Sequence, residues 1–307
     1  MQFTKAVRKK SKLRLALSAP SGAGKTLGAL MIAKGMDCKK IAIVDTERGS
    51  ASLYADDVTL RDGSVWTPPE FDALDLTAPF SPEVFIEAIN AASAYDCLII
   101  DGITPEWNGV GGCLELVDQI AKAKYRGNSW SAWNDVTPRH RKFIDAMLGA
   151  PMHIIATMRS KTETAQVEEN GRKKVAKLGM KAEQRDGIEF EFTTVLDLIH
   201  DGHFASASKD RTGVFSGDPK PISEEAGAKL RAWMESAADA PKDEAPKAAA
   251  HKPNPLDKAR EEIFACNGVE NAALVRDSWL ERATKPESKE AINQIFADYE
   301  KSAMESA

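Results

Sequence analysis

The 307-residue chain is 43% hydrophobic and 28% charged, ordinary for a soluble globular protein with material for one large domain and something smaller. Its net charge of −5 excludes a global electrostatic attraction to nucleic acid, so any such binding must come from local basic surfaces. Four cysteines, Cys38, Cys97, Cys113 and Cys266, lie far apart with no C-x-x-C pair, which argues against a disulfide framework or zinc site and for buried, reduced thiols.

The amino-terminal MQFTKAVRKKSK is basic but is not followed by the apolar core of a signal peptide. The apolar run Leu13–Leu17 is too short to span a bilayer and contains Arg14, so the expectation is a cytoplasmic protein without a membrane partner. Leu13–Ser18 predicts a strand, followed by a glycine-rich turn and a helix over about Thr26–Lys34. Ile41–Asp45 predicts a second strand, and Ser81 with Pro82 opens a helix. Cys97–Asp101 is an apolar strand ending in a carboxylate. A long helix around Pro138–Leu148 then leads to a strand over Met152–Thr157. Near-continuous apolar strands separated by helices imply an α/β fold with a mostly parallel sheet covered on both faces.

The pattern changes after Arg159. Lys161–Val167 and Lys173–Leu178 flank Asn170-Gly171, and Val195–Ile199 and His203–Ser208 flank Asp201-Gly202; both read as hairpins. A helix near Ser223–Ser236 closes a core predicted to span residues 1–236. Residues 237–255, rich in alanine, proline and charge without large apolar side chains, read as a flexible linker. Residues 256–307 predict a small module of two amphipathic helical stretches, one with Ile263, Phe264, Leu274, Val275 and Trp279, the other with Ile292, Ile295, Phe296 and Tyr299.

The chemistry sits at Ala19-Pro20-Ser21-Gly22-Ala23-Gly24-Lys25-Thr26, which fits [AG]-x4-G-K-[ST]. Glycines let such a loop bend so that the backbone N–H groups of Pro20–Thr26, apart from the proline itself, can face phosphate oxygens at the positive end of a helix. Lys25 is expected to reach the β- and γ-phosphates of ATP, and the Thr26 hydroxyl to ligate Mg²⁺. Asp101 supplies the second carboxylate a magnesium site needs, from a strand expected beside the P-loop. Glu47, just past the second strand, is placed to orient or deprotonate an attacking water, with Asp45 as the alternative.

The P-loop, the V-D-T-E segment and the L-I-I-D strand together resemble RecA-like recombinase ATPases, and more closely phage-encoded RecA-like ATPases of recombination and annealing. Further segments that carry the resemblance are Asn128–Pro138, His153–Thr162, Arg185–Phe192 and Ser208–Arg211, so that it spans about residues 10–220. It implies a water-activating role for Glu47 and a homo-oligomer, ring or filament. It also implies that Lys209 and Arg211, two apart and so on one strand face, reach the γ-phosphate held by a neighbouring subunit. Arg159 takes the place where such proteins sense bound nucleotide, or alternatively contacts DNA. The basic stretch Arg159, Lys161, Arg172, Lys173, Lys174, Lys177, Lys181 and Arg185 falls where the family binds single-stranded DNA. Trp130 and Trp133 offer base-stacking or, as two aromatics three apart on a helix, packing.

These features imply an ATP-hydrolysing accessory of single-stranded DNA recombination or annealing, in the host cytoplasm if phage-encoded. Its tail, similar to the helical tails of phage annealing proteins, would recruit a single-strand-binding protein. Two other readings stay open on the sequence: a small-molecule P-loop kinase, and a nucleotide-dependent binding module with negligible turnover.

Overall fold

The computed structural model describes residues 8, 10–169, 172–200, 203–237 and 255–305, and within these not the side chains of 162–179, 255, 257 and 305. Two compact units divide the chain, residues 1–239 and 240–307.

In the first unit β1 (Arg14–Ala19) feeds α1 (Lys25–Gly35) and β2 (Ile41–Asp45). Short strands β3 (Val58–Thr59), β4 (Val65–Trp66) and β5 (Asp72–Asp75) precede α2 (Pro82–Ala91) and β6 (Cys97–Asp101). Three helices follow, α3 (Thr104–Asn108), α4 (Cys113–Lys124) and α5 (Ser129–Gly149), then β7 (His153–Glu169) and β8 (Arg172–Ala182). Strands β9 (Thr194–Leu198), β10 (Phe204–Asp210) and β11 (Lys220–Pro221) and helix α6 (Glu224–Glu235) complete it.

The main sheet runs β11-β10-β9-β1-β7-β6-β2-β5, with β8 paired to β7. Its centre is parallel, and β9–β10, β10–β11 and β7–β8 are antiparallel. This is the α/β class the sequence implies. Successive strand residues point to opposite faces, and both faces are apolar. Leu15, Leu17, Ile43 and Ile99 pack with α1 and α6, whereas Ala16, Val44, Leu98 and Ile100 pack with Phe85 and Phe143 of α2 and α5.

Several boundaries differ from the sequence reading. Helix α5 begins at Ser129, where the Asn128 side chain accepts the Ser131 N–H at 3.2 Å, so Pro138 lies inside the helix and does not start it. Pro138 is exposed, as is Asn134 one turn before it, so the carbonyl that loses its helical donor faces water. The strand predicted to stop at Thr157 continues along β7. Beyond Arg159, the last β1 partner, it pairs with β8 as a two-stranded ribbon from Ser160 to Glu169. The expected turn residues Asn170-Gly171 and Asp201-Gly202 lie outside the described residues, although the strands flanking each pair as hairpins do.

Arg14, met in the sequence only as a charge inside an apolar run, ties the sheet to α5. It is buried, and its guanidinium donates to Leu148 O (2.9 Å), Ala150 O (2.5 Å) and Met152 O (2.8 Å), at the carboxyl end of α5 and the turn into β7. Burial lowers its pKa to about 10, still fully charged at neutral pH. Arg14→Met keeps the apolar stem and removes every donor, leaving buried carbonyls unpaired. We expect a loss of about 3 kcal/mol in stability by urea unfolding; a midpoint unchanged from wild type would show that water replaces the guanidinium.

The second unit holds α7 (Pro255–Phe264), α8 (Val269–Arg282) and α9 (Pro286–Glu305), three helices where the sequence suggests two amphipathic stretches. Gly268, at φ 91°, breaks the first stretch in two. Ile263, Ala272, Phe296 and Tyr299 form its core, the Tyr299 hydroxyl donates to Cys266 O at 2.7 Å, and Arg276 lies 4.4 Å over the Phe296 ring. Among the described residues no helix is long and apolar enough to cross a membrane.

Candidate nucleotide-binding site

The P-loop joins β1 to α1 at the carboxyl-terminal edge of the parallel sheet, where open α/β sheets bind ligands. Gly24 is the N-cap of α1 with φ 84°, and Gly22 has φ 77°, a left-handed backbone that other residues adopt only with strain. The loop therefore bends tightly ahead of the helix's positive end, with the Ala23 N–H donating to Pro20 O at 3.4 Å. Lys25 is 8% exposed, and its ammonium donates to Pro20 O at 3.0 Å and Ala19 O at 3.4 Å, across the mouth of the loop. Burial lowers its pKa, while the carboxylates of Glu47 and Asp101 act the other way.

Thr26 donates its hydroxyl to Asp101 Oδ2 at 2.7 Å, and Thr157 on β7 donates to Asp101 Oδ1 at 2.8 Å. Asp101 is 1% exposed and burial raises its pKa, with the nearby negative charges of Glu47 and Asp45 adding to the shift. Two hard oxygen donors converging beside a phosphate loop fit the demands of Mg²⁺, which takes one or two protein oxygens and keeps the rest for phosphate and water. The carboxylate comes from further away than the sequence implies: β7 lies between β1 and β6, and β6 and β7 both separate β1 from β2. A strand order of this kind needs long-range pairing that no local run of residues encodes. It makes room for Thr157 and Arg159 of β7 between the P-loop and Asp101.

Glu47 sits on the loop after β2, with its carboxylate accepting from Arg159 Nη2 at 2.8 Å and Nε at 3.2 Å. Arg159 is level with Ala19 in the sheet register, and its backbone N–H donates to Thr104 Oγ1 at 2.9 Å. Lys25, Glu47, Asp101 and Arg159 thus share one edge of the sheet and one electrostatic field. Asp45 does not share it as a free base. It is buried, and its two oxygens accept the Glu47 and Ala51 N–H groups, shaping the loop that presents Glu47. Gly102, at φ 103°, has no room for a side chain: a Cβ there would stand 2.2 Å from Thr46 Oγ1, the group that hydrogen-bonds Asp101 O at 3.0 Å.

The late basic pair falls at the very end of β10. A register shift falls between Ala207 and Lys209, β10 ends at Asp210, and Arg211 lies beyond it, exposed. The bulge precedes Lys209, so from Lys209 onward the register is regular, and the Arg211 N–H still donates to Thr193 O at 3.2 Å. Lys209 donates to Glu189 O at 3.2 Å and to Phe190 O, holding the turn at Ile188–Phe190 of its own chain. Of the basic stretch, Lys161 pairs with Glu183 at 3.5 Å and Lys181 with Asp186 at 2.8 Å. Arg185 lies 5.8 Å over the Trp133 ring. The side chains of Arg172, Lys173, Lys174 and Lys177 lie outside the described residues, on β8 of the ribbon. Trp133 stacks on Trp107 with centroids 5.5 Å apart, whereas Trp130 is 85% exposed.

Two histidines escaped the sequence reading. A Cβ on Gly22 would stand 3.6 Å from His200 Nε2, and one on Gly24 would stand 3.3 Å from His203 Nδ1, so both rings border the P-loop. Beside Gly24 opens a cavity of about 360 Å³ lined by Leu27, Met31, Leu60, Leu198, His203 and Ile222. Both histidines flank a hairpin turn, and only the tertiary pairing of β9 with β1 brings them over the loop.

Phosphate loop, paired oxygen donors and mostly parallel sheet define a P-loop nucleotide-binding protein. Residues 11–221 match the AAA domain family AAA_24, and the chain belongs to that family. It is similar in structure to the RadB recombinase, with a TM-score of 0.35 and 15% identity over 67% of this chain and 83% of that one. No curated protein matches it.

Proposed function

We propose that the chain binds Mg·ATP at the P-loop and hydrolyses it, as a RecA-like ATPase acting on single-stranded DNA in recombination, annealing or replication of the phage type. The observation that supports this most is the convergence of Lys25, Thr26, Asp101, Glu47 and Arg159 on one sheet edge. Backbone N–H groups of Pro20–Thr26, proline excepted, and the Lys25 ammonium hold the phosphates, and the cavity beside Gly24 takes the base, with His203 at its rim. Mg²⁺, bound through Thr26 and Asp101, supplies charge neutralisation on the phosphate oxygens. Glu47 orients the attacking water and accepts its proton, and Arg159 holds Glu47 until the γ-phosphate competes for the guanidinium.

The ribbon of β7 and β8 starts directly after Arg159, so nucleotide state and ribbon are linked through one strand. Its lysines and arginines contact the DNA backbone in a ring or filament of identical subunits. Core 1–236 carries the ATPase, linker 237–255 the tether, and module 256–307 a docking surface for a single-strand-binding protein in the cytoplasm. The test is phosphate release with and without single-stranded DNA across a salt series. We expect stimulation that fades steeply between low and physiological salt; a rate indifferent to DNA at every salt would overturn the DNA-directed part of the reading.

Lys209 and Arg211 act in this reading on the neighbour's γ-phosphate, Lys209 leaving its carbonyl partners on assembly. Lys209→Ala and Arg211→Ala then each lose turnover, and each recovers activity when mixed with Lys25→Ala subunits, because one variant supplies the nucleotide site and the other the finger. Mixtures no more active than their parts would assign both residues to their own chain.

A further inference from the structure

Away from the nucleotide, a second cluster of reactive side chains lies among α3, α4 and α5. Glu106 of α3, Cys113 at the start of α4 and His140 of α5 are 0%, 0% and 4% exposed. The Cys113 thiol lies 3.1 Å from Glu106 Oε1 and 4.0 Å from His140 Nδ1, and that nitrogen lies 3.0 Å and 3.2 Å from Glu106 Oε1 and Oε2. We propose that these three residues form a structural binding site for a borderline divalent cation of the zinc class.

Three observations carry it. The donor set is one thiolate sulfur, one imidazole nitrogen and one carboxylate oxygen, each a donor type that zinc takes, so the three residues supply three corners of a tetrahedron. Tetrahedral zinc with bonds of about 2.0–2.3 Å spaces its donors roughly 3.3–3.7 Å apart, and the observed separations of 3.0–4.0 Å bracket that range. A cation is therefore admitted by side-chain shifts of a few tenths of an ångström.

Charge is the second. Glu106 is a fully buried carboxylate whose side-chain hydrogen-bond partners among the described residues are Cys113, His140 and Gln184, so that His140, when protonated, is the counter-charge among them that a cation would replace. Arg139 nearby is committed to Glu83 at 2.7 Å. Carboxylate, thiolate, neutral imidazole and a dication sum to zero, the balance a dry site requires. Binding releases the thiol proton to solvent.

The third is the outer shell. Gln184 Nε2 donates to Glu106 Oε2 at 3.2 Å and to Ile103 O at 3.0 Å, while its Oε1 accepts from Arg185 N at 2.7 Å, so its amide is fixed in orientation. Trp107 lies edge-on to His140 at 5.6 Å, closing the ring against apolar surface. Buttressing of this kind orients first ligands in metal sites. The buried cluster these helices share is small, Cys113, Val117, Ala121, Ala132 and Val136 with partly buried side chains such as Trp107 and Trp133 against it, and a cation would add a cross-link to it. Glu106 also follows two residues after Thr104, the acceptor for the Arg159 backbone, so the cross-link steadies α3 behind the nucleotide site.

The test is metal content of the full chain, purified without chelator, followed by replacement of the metal with Co²⁺. We expect about one zinc per chain and, with cobalt, a thiolate charge-transfer band in the near ultraviolet. Cys113→Ser should lose the band, and Gln184→Ala should weaken zinc about 10–100-fold. Should either variant fail to fold, wild-type protein stripped by a zinc-selective chelator in the absence of nucleotide still decides the matter, because its thermal midpoint should fall and recover with added Zn²⁺. Lys25→Ala should retain its zinc, which separates this site from the nucleotide reading. Wild-type protein that binds neither Zn²⁺ nor Co²⁺, or binds cobalt without a thiolate band, overturns the proposal.

Discussion

Lys25→Ala abolishes nucleotide binding and leaves the α/β core folded. The side chain contributes little to the apolar core: among the described residues its ammonium donates to Pro20 O and Ala19 O, carbonyls of the loop it closes. What the substitution deletes is the cation that the phosphates meet, already desolvated and flanked by Glu47 and Asp101. With the lysine gone those two carboxylates lose a neighbouring cation, so added repulsion of the phosphates compounds the lost attraction. Charge-assisted bonds are worth about 1.5–3 kcal/mol each, and two of them account for a loss on the order of 1,000-fold or more in affinity. A fluorescent ATP analogue titrated against variant and wild type, with circular dichroism to verify the fold, measures this. Wild-type affinity in a folded variant would remove the P-loop assignment.

Glu47→Gln has the second largest effect and the opposite signature. Its amide oxygen still accepts from the Arg159 guanidinium, which the carboxylate holds at 2.8 Å, so the loop keeps its pose and ATP stays bound. Basicity alone is lost, and we expect turnover to fall by about 100-fold. Asp45 cannot substitute, because both its oxygens are taken by the N–H groups of the loop that carries Glu47. Single-turnover hydrolysis with equal ATP occupancy in both proteins reads the chemical step. A wild-type rate would move the base elsewhere, and a parallel loss of affinity would show that Glu47 holds nucleotide.

The parts legible in the sequence are those that local pattern determines. Apolar runs marked β1, β2 and β6 because strands buried on both faces must be apolar on both. The P-loop was legible because its chemistry lies in consecutive residues. β5 was not: Asp72-Ala-Leu-Asp puts an acid at each end of an exposed edge strand, so neither alternation nor β-branching marks it. Pro138 read as a helix start because proline favours first turns, and only exposure of that face lets α5 run through it. Thr157 and Arg159 enter the site through the insertion of β7 beside β1, a choice of strand order. Glu106, Cys113 and His140 meet across three helices at spacings that match no metal motif.

Lys209 and Arg211 both lie past the irregularity of β10, the first on the strand and the second just beyond its end. Their separate positions, one on its own chain's carbonyls and one exposed, make the mixing experiment informative for each residue individually.

We propose above all that the chain hydrolyses ATP with the site built from Lys25, Thr26, Asp101 and Glu47. Phosphate release by the full chain, measured with Mg·ATP and again with magnesium withheld, tests it most directly, with Glu47→Gln as the internal control. We expect steady release that requires Mg²⁺ and falls by about 100-fold in the variant while both proteins bind ATP. ATP bound by wild type and never cleaved, with DNA or without it, would contradict the claim and leave a nucleotide-dependent binding module.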